Sequence, residues 1–205
     1  MNYPQIEIPK KTGDEHFLHL GEAQPFDVKD FWKWAYSDLL GNTARGVLAE
    51  YIVAKALGIA AKGVRIEWDP YDLETVDGLR IEVKSSAFLQ SWHQDVLSKV
   101  QFSVRKTRDW DPKTGQQSPT ANRSSDVYVF ALLAHTSVDS IDPLDLSQWE
   151  FYVVPTKVID EELGNLQRIG LASLRSLHGD GLGFASLSSA VAKAGEDPNY
   201  SEKSS

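Results

Sequence analysis

Three side chains in the stretch 69–86, DPYDLETVDGLRIEVKSS, have the types that cut phosphodiesters: Asp72, Glu82 and Lys84. Two carboxylates brought together repel unless a cation sits between them or one takes a proton. A hard divalent ion with oxygen ligands resolves that repulsion, and Mg2+ is the natural choice, with Mn2+ as a substitute. A lysine beside the pair can hold an attacking water or help deprotonate it, while the metal lowers that water's pKa and shields the phosphate. An E-x-K triplet alone means little, because on a surface hairpin Glu82 would simply pair with Lys84 or Arg80. The spacing of Asp72 from Glu82 across a turn has to separate the two readings.

Two hairpin registers compete. A two-residue Asp77-Gly78 turn pairs Leu73 with Glu82 and mixes a leucine with a carboxylate on one face. A three-residue loop, Val76-Asp77-Gly78, pairs Thr75 with Leu79, Leu73 with Ile81, Asp72 with Glu82 and Tyr71 with Val83. Its apolar face is Tyr71, Leu73, Leu79, Ile81 and Val83, and its polar face is Asp72, Glu74, Arg80, Glu82 and Lys84. A one-residue slip moves every side chain to the other face, so the hydrophobic pattern selects the second register. Gly78 stands where such a loop wants a left-handed residue. Facing residues then have Cβ atoms roughly 5 Å apart. Lys84 lies two residues on, about 6.6 Å along the strand.

The hairpin needs neighbours to hold it. Asp27 is a plausible N-cap for a helix over 27–40, with Gly41 as its stop. The aromatics Phe31, Trp32, Trp34 and Tyr36 read as core packing or as a lid over the next helix, the alternative being stacking on bases. A second helix runs from about Thr43 to Leu57, capped by Asn42 or Thr43 and stopped by Gly58. Glu50 sits on it among Gly46, Val47, Ala54 and Leu57, so it needs a partner. That partner is a bound metal's water on one reading, and a Lys or Arg elsewhere on the other. Residues 63–69, GVRIEWD, alternate as a first strand. The strand ending at Lys84 leads into an irregular or helical stretch. Residues 99–107 alternate, with Val100, Phe102 and Val104 on one side and Gln101, Ser103 and Arg105 on the other. Residues 126–134, DVYVFALLA, read as a buried central strand, and 149–155 as its neighbour.

With these residues in place, the chain resembles the PD-(D/E)xK, or restriction-endonuclease-like, nuclease superfamily. The matching parts are Glu50 in ARGVLAEYIVAKALG, Pro70-Tyr71-Asp72 in the place of the PD element, and Glu82-Val83-Lys84 as (D/E)xK. Tyr71 stands between the proline and the aspartate, and the proline makes no metal contact in the family pattern. The order helix, strand, hairpin, helix, strand also matches, over roughly residues 40–155. The resemblance implies an α/β fold whose central mixed sheet has about four to five strands flanked by helices. It implies hydrolysis of DNA phosphodiesters with Mg2+, in restriction, defence or repair. Asp72, Glu82 and the Val83 carbonyl would hold the metal, Glu50 a metal-bound water or a second metal, and Lys84 the attacking water. Many relatives act as dimers, which leaves a homodimer open.

The bulk numbers bound this reading. The chain has 205 residues, 41% of them hydrophobic, a net charge of -8 and no cysteine. Disulfides and thiolate metal sites are excluded. No apolar run is long enough for a membrane span and the N-terminus has no signal-peptide core, so a cytoplasmic protein is the default. Acidic overall charge counts against a general nucleic-acid binder. Locally the balance reverses: six bases against two acids give residues 99–123 a net +4, leaving -12 for the rest of the chain. Gln101, Arg105, Lys106, Arg108 and Arg123 are therefore candidate contacts to duplex DNA, on a phosphate-tracking surface. The polar stretch 109–125 reads as a flexible DNA-contacting flap.

The expected organisation is an N-terminal arm over 1–25, the nuclease-like domain over 26–160, a helical appendage over 161–194 and a flexible tail over 195–205. Two rival functions stay open. One is a catalytically inactive nuclease-like domain that binds nucleic acid or protein. The other is an RNA or nucleotide phosphodiesterase.

Overall fold

The apolar run in the middle of the chain becomes the centre of a four-stranded sheet. It was described in a computed structural model covering residues 3, 6–60, 64–66, 69–111 and 114–196. In chain order the elements are β1 (His16–His19), β2 (Glu22–Asp27), α1 (Val28–Tyr36), α2 (Asn42–Ala56), β3 (Leu73–Glu74), β4 (Arg80–Ala87) and β5 (Gln101–Ser103). There follow β6 (Trp110–Asp111), β7 (Gln116–Gln117), β8 (Val127–Leu133), β9 (Trp149–Pro155), α3 (Thr156–Leu163), β10 (Arg168–Gly170), α4 (Leu171–His178) and α5 (Leu187–Gly195). The fold is mixed α/β, with five α-helices among the described residues. None of them is long and apolar enough to cross a membrane.

The sheet order is β3-β4-β8-β9. β4 lies antiparallel to β3 and parallel to β8, and β8 lies antiparallel to β9. All seven residues of β8 are buried, as a continuous apolar run requires of a strand covered on both faces. Val127, Val129, Ala131 and Leu133 pack with Ile81 and Val83 of β4, with Ala49, Ile52 and Val53 of α2, and with Leu187 and Val191 of α5. Tyr128, Phe130 and Leu132 pack on the other face with Val100, Phe102 and Val104, with Ile159 of α3, Ile169 of β10 and Leu174 of α4. Burying one such side chain contributes on the order of 1.5–3 kcal/mol, so these two layers fix the plane of β4.

Helix ends follow local chemistry. Asp27 caps α1 reciprocally with Asp30. α2 starts directly after Gly41 with no side-chain cap, not from an Asn42 or Thr43 cap. It ends on Gly58 at φ +71°, where Gly58 N–H bonds the Lys55 carbonyl at 3.2 Å and Ile59 N–H the Ala54 carbonyl at 2.9 Å. That is the Schellman pattern, which glycine adopts without steric cost.

Several expectations give way. Within the expected arm, β1 and β2 form a hairpin whose two-residue turn places both Leu20 (φ 52°) and Gly21 (φ 90°) at positive φ. Leucine is an unusual residue there, so the sequence carried no turn signal. The aromatics of α1 are neither core nor lid: no residue of α1 is buried, and Trp34 is 84% exposed. The first strand does not form over Val64–Ile66, while Gly63, Glu67 and Trp68 lie outside the described residues. Val64 and Ile66 are exposed, so their alternation has no face to bury. Between β4 and β8 there is no helix among the described residues, and the crossover between these parallel strands carries β5, β6 and β7 instead. The stretch 109–125 is not wholly irregular, because β6 pairs with β7 and Thr107 bridges Asn122 at its base. Two-residue strands are too short to show a period. The expected tail begins at the end of α5, and 197–205 lie outside the described residues.

Candidate functional site

The hairpin has the expected register. Leu73 pairs with Ile81 and Glu74 with Arg80. Thr75 N–H bonds the Leu79 carbonyl at 3.0 Å, and Gly78 takes φ +83° in the three-residue loop. The ladder then stops early. Asp72 N–H bonds the Ile81 carbonyl at 3.0 Å, and the Asp72 carboxylate accepts the Val83 N–H at 2.7 Å. Neither the expected Asp72–Glu82 pair nor the Tyr71–Val83 pair therefore belongs to the ladder, which holds Leu73–Ile81 and Glu74–Arg80 alone. Tyr71 turns its hydroxyl to Glu74 instead, and that bond pushes the phenol up to about 12. Pro70, which has no N–H to give a ladder, marks the bend.

On β4, Ile81 and Val83 enter the core layer shared with α2. Glu82 and Lys84 project from the opposite face, as period-two alternation demands. Their side chains are 18% and 30% exposed and form an ion pair. Glu82 stands beside the buried Tyr128 of β8 in the parallel register. Burial first, and then the Glu82 charge, push that phenol above its ordinary range.

Asp72 shares the same field. Burial pushes its carboxyl up to about 7, the charges of Glu82 and Glu50 add to the rise, and Lys84 and the Val83 N–H oppose it. Burial disfavours the Lys84 ammonium, but Glu82 and Asp72 outweigh it and leave the amine above its ordinary value. Glu50 is buried on α2 and held at both oxygens by Arg65, with Arg65 Nη2 to Glu50 Oε1 at 2.9 Å. The arginine partner is thus the built arrangement of the two weighed for Glu50. Among the described residues three carboxylates, Glu50, Asp72 and Glu82, share this field with two cations, Arg65 and Lys84. The cluster is one positive charge short, and Asp72 carries the imbalance.

That deficit is chemistry a divalent cation fits. Among the described residues no three His, Cys, Asp or Glu side chains converge to hold an ion by themselves. Mg2+ is commonly bound by one or two carboxylates together with waters and substrate phosphate. Asp72 and Glu82 would supply the carboxylates. The Val83 carbonyl lies on the strand edge that its N–H shares, beyond the end of β3, and would supply a third oxygen.

Glu82 and Lys84 open into a cleft of about 340 Å3 also lined by Pro70, Ser103, Arg105, Thr107, Arg123, Ser124, Tyr128, Gln167 and Arg168. A groove of about 790 Å3 shares Arg105, Thr107 and Gln167 with it and adds Lys106, Arg108, Gln117, Ala121 and Asn165. Of the candidate nucleic-acid contacts, Arg105 lines both spaces, and Lys106 and Arg108 line the groove. Lys106 lies 3.6 Å from Asp160. Gln101 is exposed at the start of β5 and lines neither space. Arg123 forms part of the cleft wall, but its side chain is fully buried. It bonds the Val104 carbonyl at 2.7 Å and the Leu166 carbonyl at 3.3 Å and pairs with Asp160. Its bonds therefore tie the crossover to α3.

Sequence reasoning did not single out Ser103, Thr107, Ser124, Tyr128, Gln167 or Arg168 for the site. Ser103 was legible as the residue sharing a face with Arg105. Tyr128 was hidden in an apolar run, and Arg168 comes from a stretch with no period. In comparison with known proteins, the chain matches no family model, no curated protein and no solved structure.

Proposed function

We propose that the protein is a Mg2+-dependent endonuclease that hydrolyses phosphodiester bonds of duplex DNA, acting in the cytoplasm in restriction, defence or repair. The observation that carries this reading is the cluster of Asp72, Glu82 and Lys84, one positive charge short, whose Glu82 and Lys84 line a cleft shared with Arg105 and Arg168. A bound Mg2+ would supply charge at the phosphate and a lowered pKa for the attacking water. Asp72 and Glu82 would hold the ion. The neighbouring carboxylates hold the Lys84 amine above its ordinary value in the metal-free site. Its ammonium would orient a water or a phosphate oxygen. Glu50 on α2, paired with Arg65, would brace the cluster.

A plasmid-nicking assay tests the reading, run beside linear, single-stranded and branched DNA and RNA, in Mg2+, Mn2+ or EDTA. Cleavage of DNA that needs the metal and is lost in Glu82→Ala and Lys84→Ala supports it. Cleavage confined to RNA or to small nucleotides moves the protein to the phosphodiesterase reading.

A second reading has its own observation. Glu50 and Glu82 are already neutralised by Arg65 and Lys84, as in a domain that binds without cutting. Tight DNA binding with no cleavage under any metal would select it.

A further inference from the structure

β5 and β10 form a two-stranded antiparallel ribbon with Ser103 opposite Arg168 and Phe102 opposite Ile169. Phe102, Val104 and Ile169 turn into the core. Residues that pair directly project to the same side. Ser103, Arg105 and Arg168 therefore share the other face, and all three line the cleft that begins at Glu82 and Lys84. Arg105 and Arg168 are exposed, and no acidic side chain pairs with either among the described residues. Glu82, the one acid in the cleft lining, is already paired with Lys84. In a chain of net charge -8, two uncompensated guanidinium groups on one wall of a cleft are a local excess that an anionic ligand relieves.

We propose that Arg105 and Arg168 clamp a backbone phosphate of the nucleic acid next to the one that is cut, an inference that rests on the nuclease reading of the same cleft. Guanidinium presents a planar fork that fits phosphate oxygens two at a time. The groove beyond Arg105 continues past Lys106 and Arg108. The clamp thus sits where a polymeric backbone leaves the cleft, and a mononucleotide would leave that groove empty. Arg168 is a positioning residue: it fixes the register of the strand over Glu82 and Lys84 and takes no part in bond breaking. It also gives the segment after α3 a direct role in the site.

The test is equilibrium binding of a labelled DNA duplex to the full chain in EDTA over a series of KCl concentrations. It uses Arg105→Ala, Arg168→Ala, the double variant, Arg168→Lys, and Lys193→Ala on α5 as a control. Each single alanine variant is expected to weaken binding about tenfold, and the double variant to flatten the log–log salt slope by about 0.9, the share of one neutralised phosphate. Arg168→Lys keeps the slope and loses part of the affinity, because lysine retains the charge without the fork. Lys193→Ala matches wild type. Thermal midpoints stay at the wild-type value, since both arginines are exposed. Wild-type affinity and slope in Arg168→Ala would overturn the clamp. If affinity and slope fall as stated and no metal supports cleavage, the clamp stands and the catalytic reading fails. If the protein cuts DNA while both alanine variants bind as wild type, the clamp fails alone. Absence of any duplex binding sinks both.

Discussion

The Asp72 carboxylate accepts the Val83 N–H at 2.7 Å, at the point where β4 runs past β3 and keeps only β8 as a strand partner. A side chain takes over the bond that a paired strand would have made. It ties the carboxylate to the strand that carries Glu82 and Lys84, so the three groups share one field.

That field sets a pH dependence. The folded Asp72 carboxyl titrates at about 7, against 3.8 for the free side chain. Between those values the folded protein binds more protons than the unfolded chain, so metal-free stability falls as pH rises through the window. At about 1.4 kcal/mol per pH unit, and discounted because the group is only half-buried, the loss is on the order of 1–2 kcal/mol. Asp72→Asn can still accept the Val83 N–H and should abolish this slope in EDTA melts. Mg2+ should raise the thermal midpoint of wild type at pH 8 and leave that of Asp72→Asn unmoved. Equal pH profiles for the two proteins in EDTA would show that Asp72 is not the strained group.

Removing Arg65 leaves the Glu50 carboxylate buried within the field of Asp72. Arg65→Ala should cost about 1–3 kcal/mol in urea unfolding, below the value for a fully buried pair because Arg65 is 39% exposed. Glu50→Gln in the same background should recover part of it. Additive effects in that double-mutant cycle would deny the pairing.

Arg123→Ala should act on stability before it acts on DNA. Its loss leaves the Val104 and Leu166 carbonyls without this donor and removes a cation from Asp160. A cost of about 3 kcal/mol follows for a buried charged network. An Arg123→Ala protein with wild-type stability and weakened DNA binding would reverse this assignment.

Gly78→Ala should destabilise the hairpin by about 1–2 kcal/mol, since φ +83° is left-handed. A midpoint equal to wild type would mean that the loop relaxes without cost.

Much of this arrangement was legible in the sequence where a period was long enough to read. The alternation of Leu73, Leu79, Ile81 and Val83 chose the register that Leu73–Ile81 pairing displays. The unbroken run of β8 identified a strand buried on both faces. Val100, Phe102 and Val104 are buried, as their spacing required. Illegible features depended on contacts distant in sequence or on very short elements. Arg65 lies in a segment that forms no strand, and its bond to Glu50 gives it a role. Arg168 reaches the cleft because β10 zips onto β5, some sixty residues upstream, and three-residue strands announce no partner. Arg123 looked like an exposed base in a charged stretch, but its guanidinium is enclosed, bonded to the Val104 and Leu166 carbonyls and paired with Asp160 of α3.

The most direct test of the central claim is Mg2+-dependent nicking of supercoiled plasmid by wild type, Glu82→Ala and Lys84→Ala. Each variant is first shown to be folded by its thermal midpoint. The account predicts nicking by wild type that EDTA stops, and a loss of at least about a hundredfold in both variants, in the range of a positioned catalytic group. Folded Glu82→Ala and Lys84→Ala proteins that nick at the wild-type rate would contradict it.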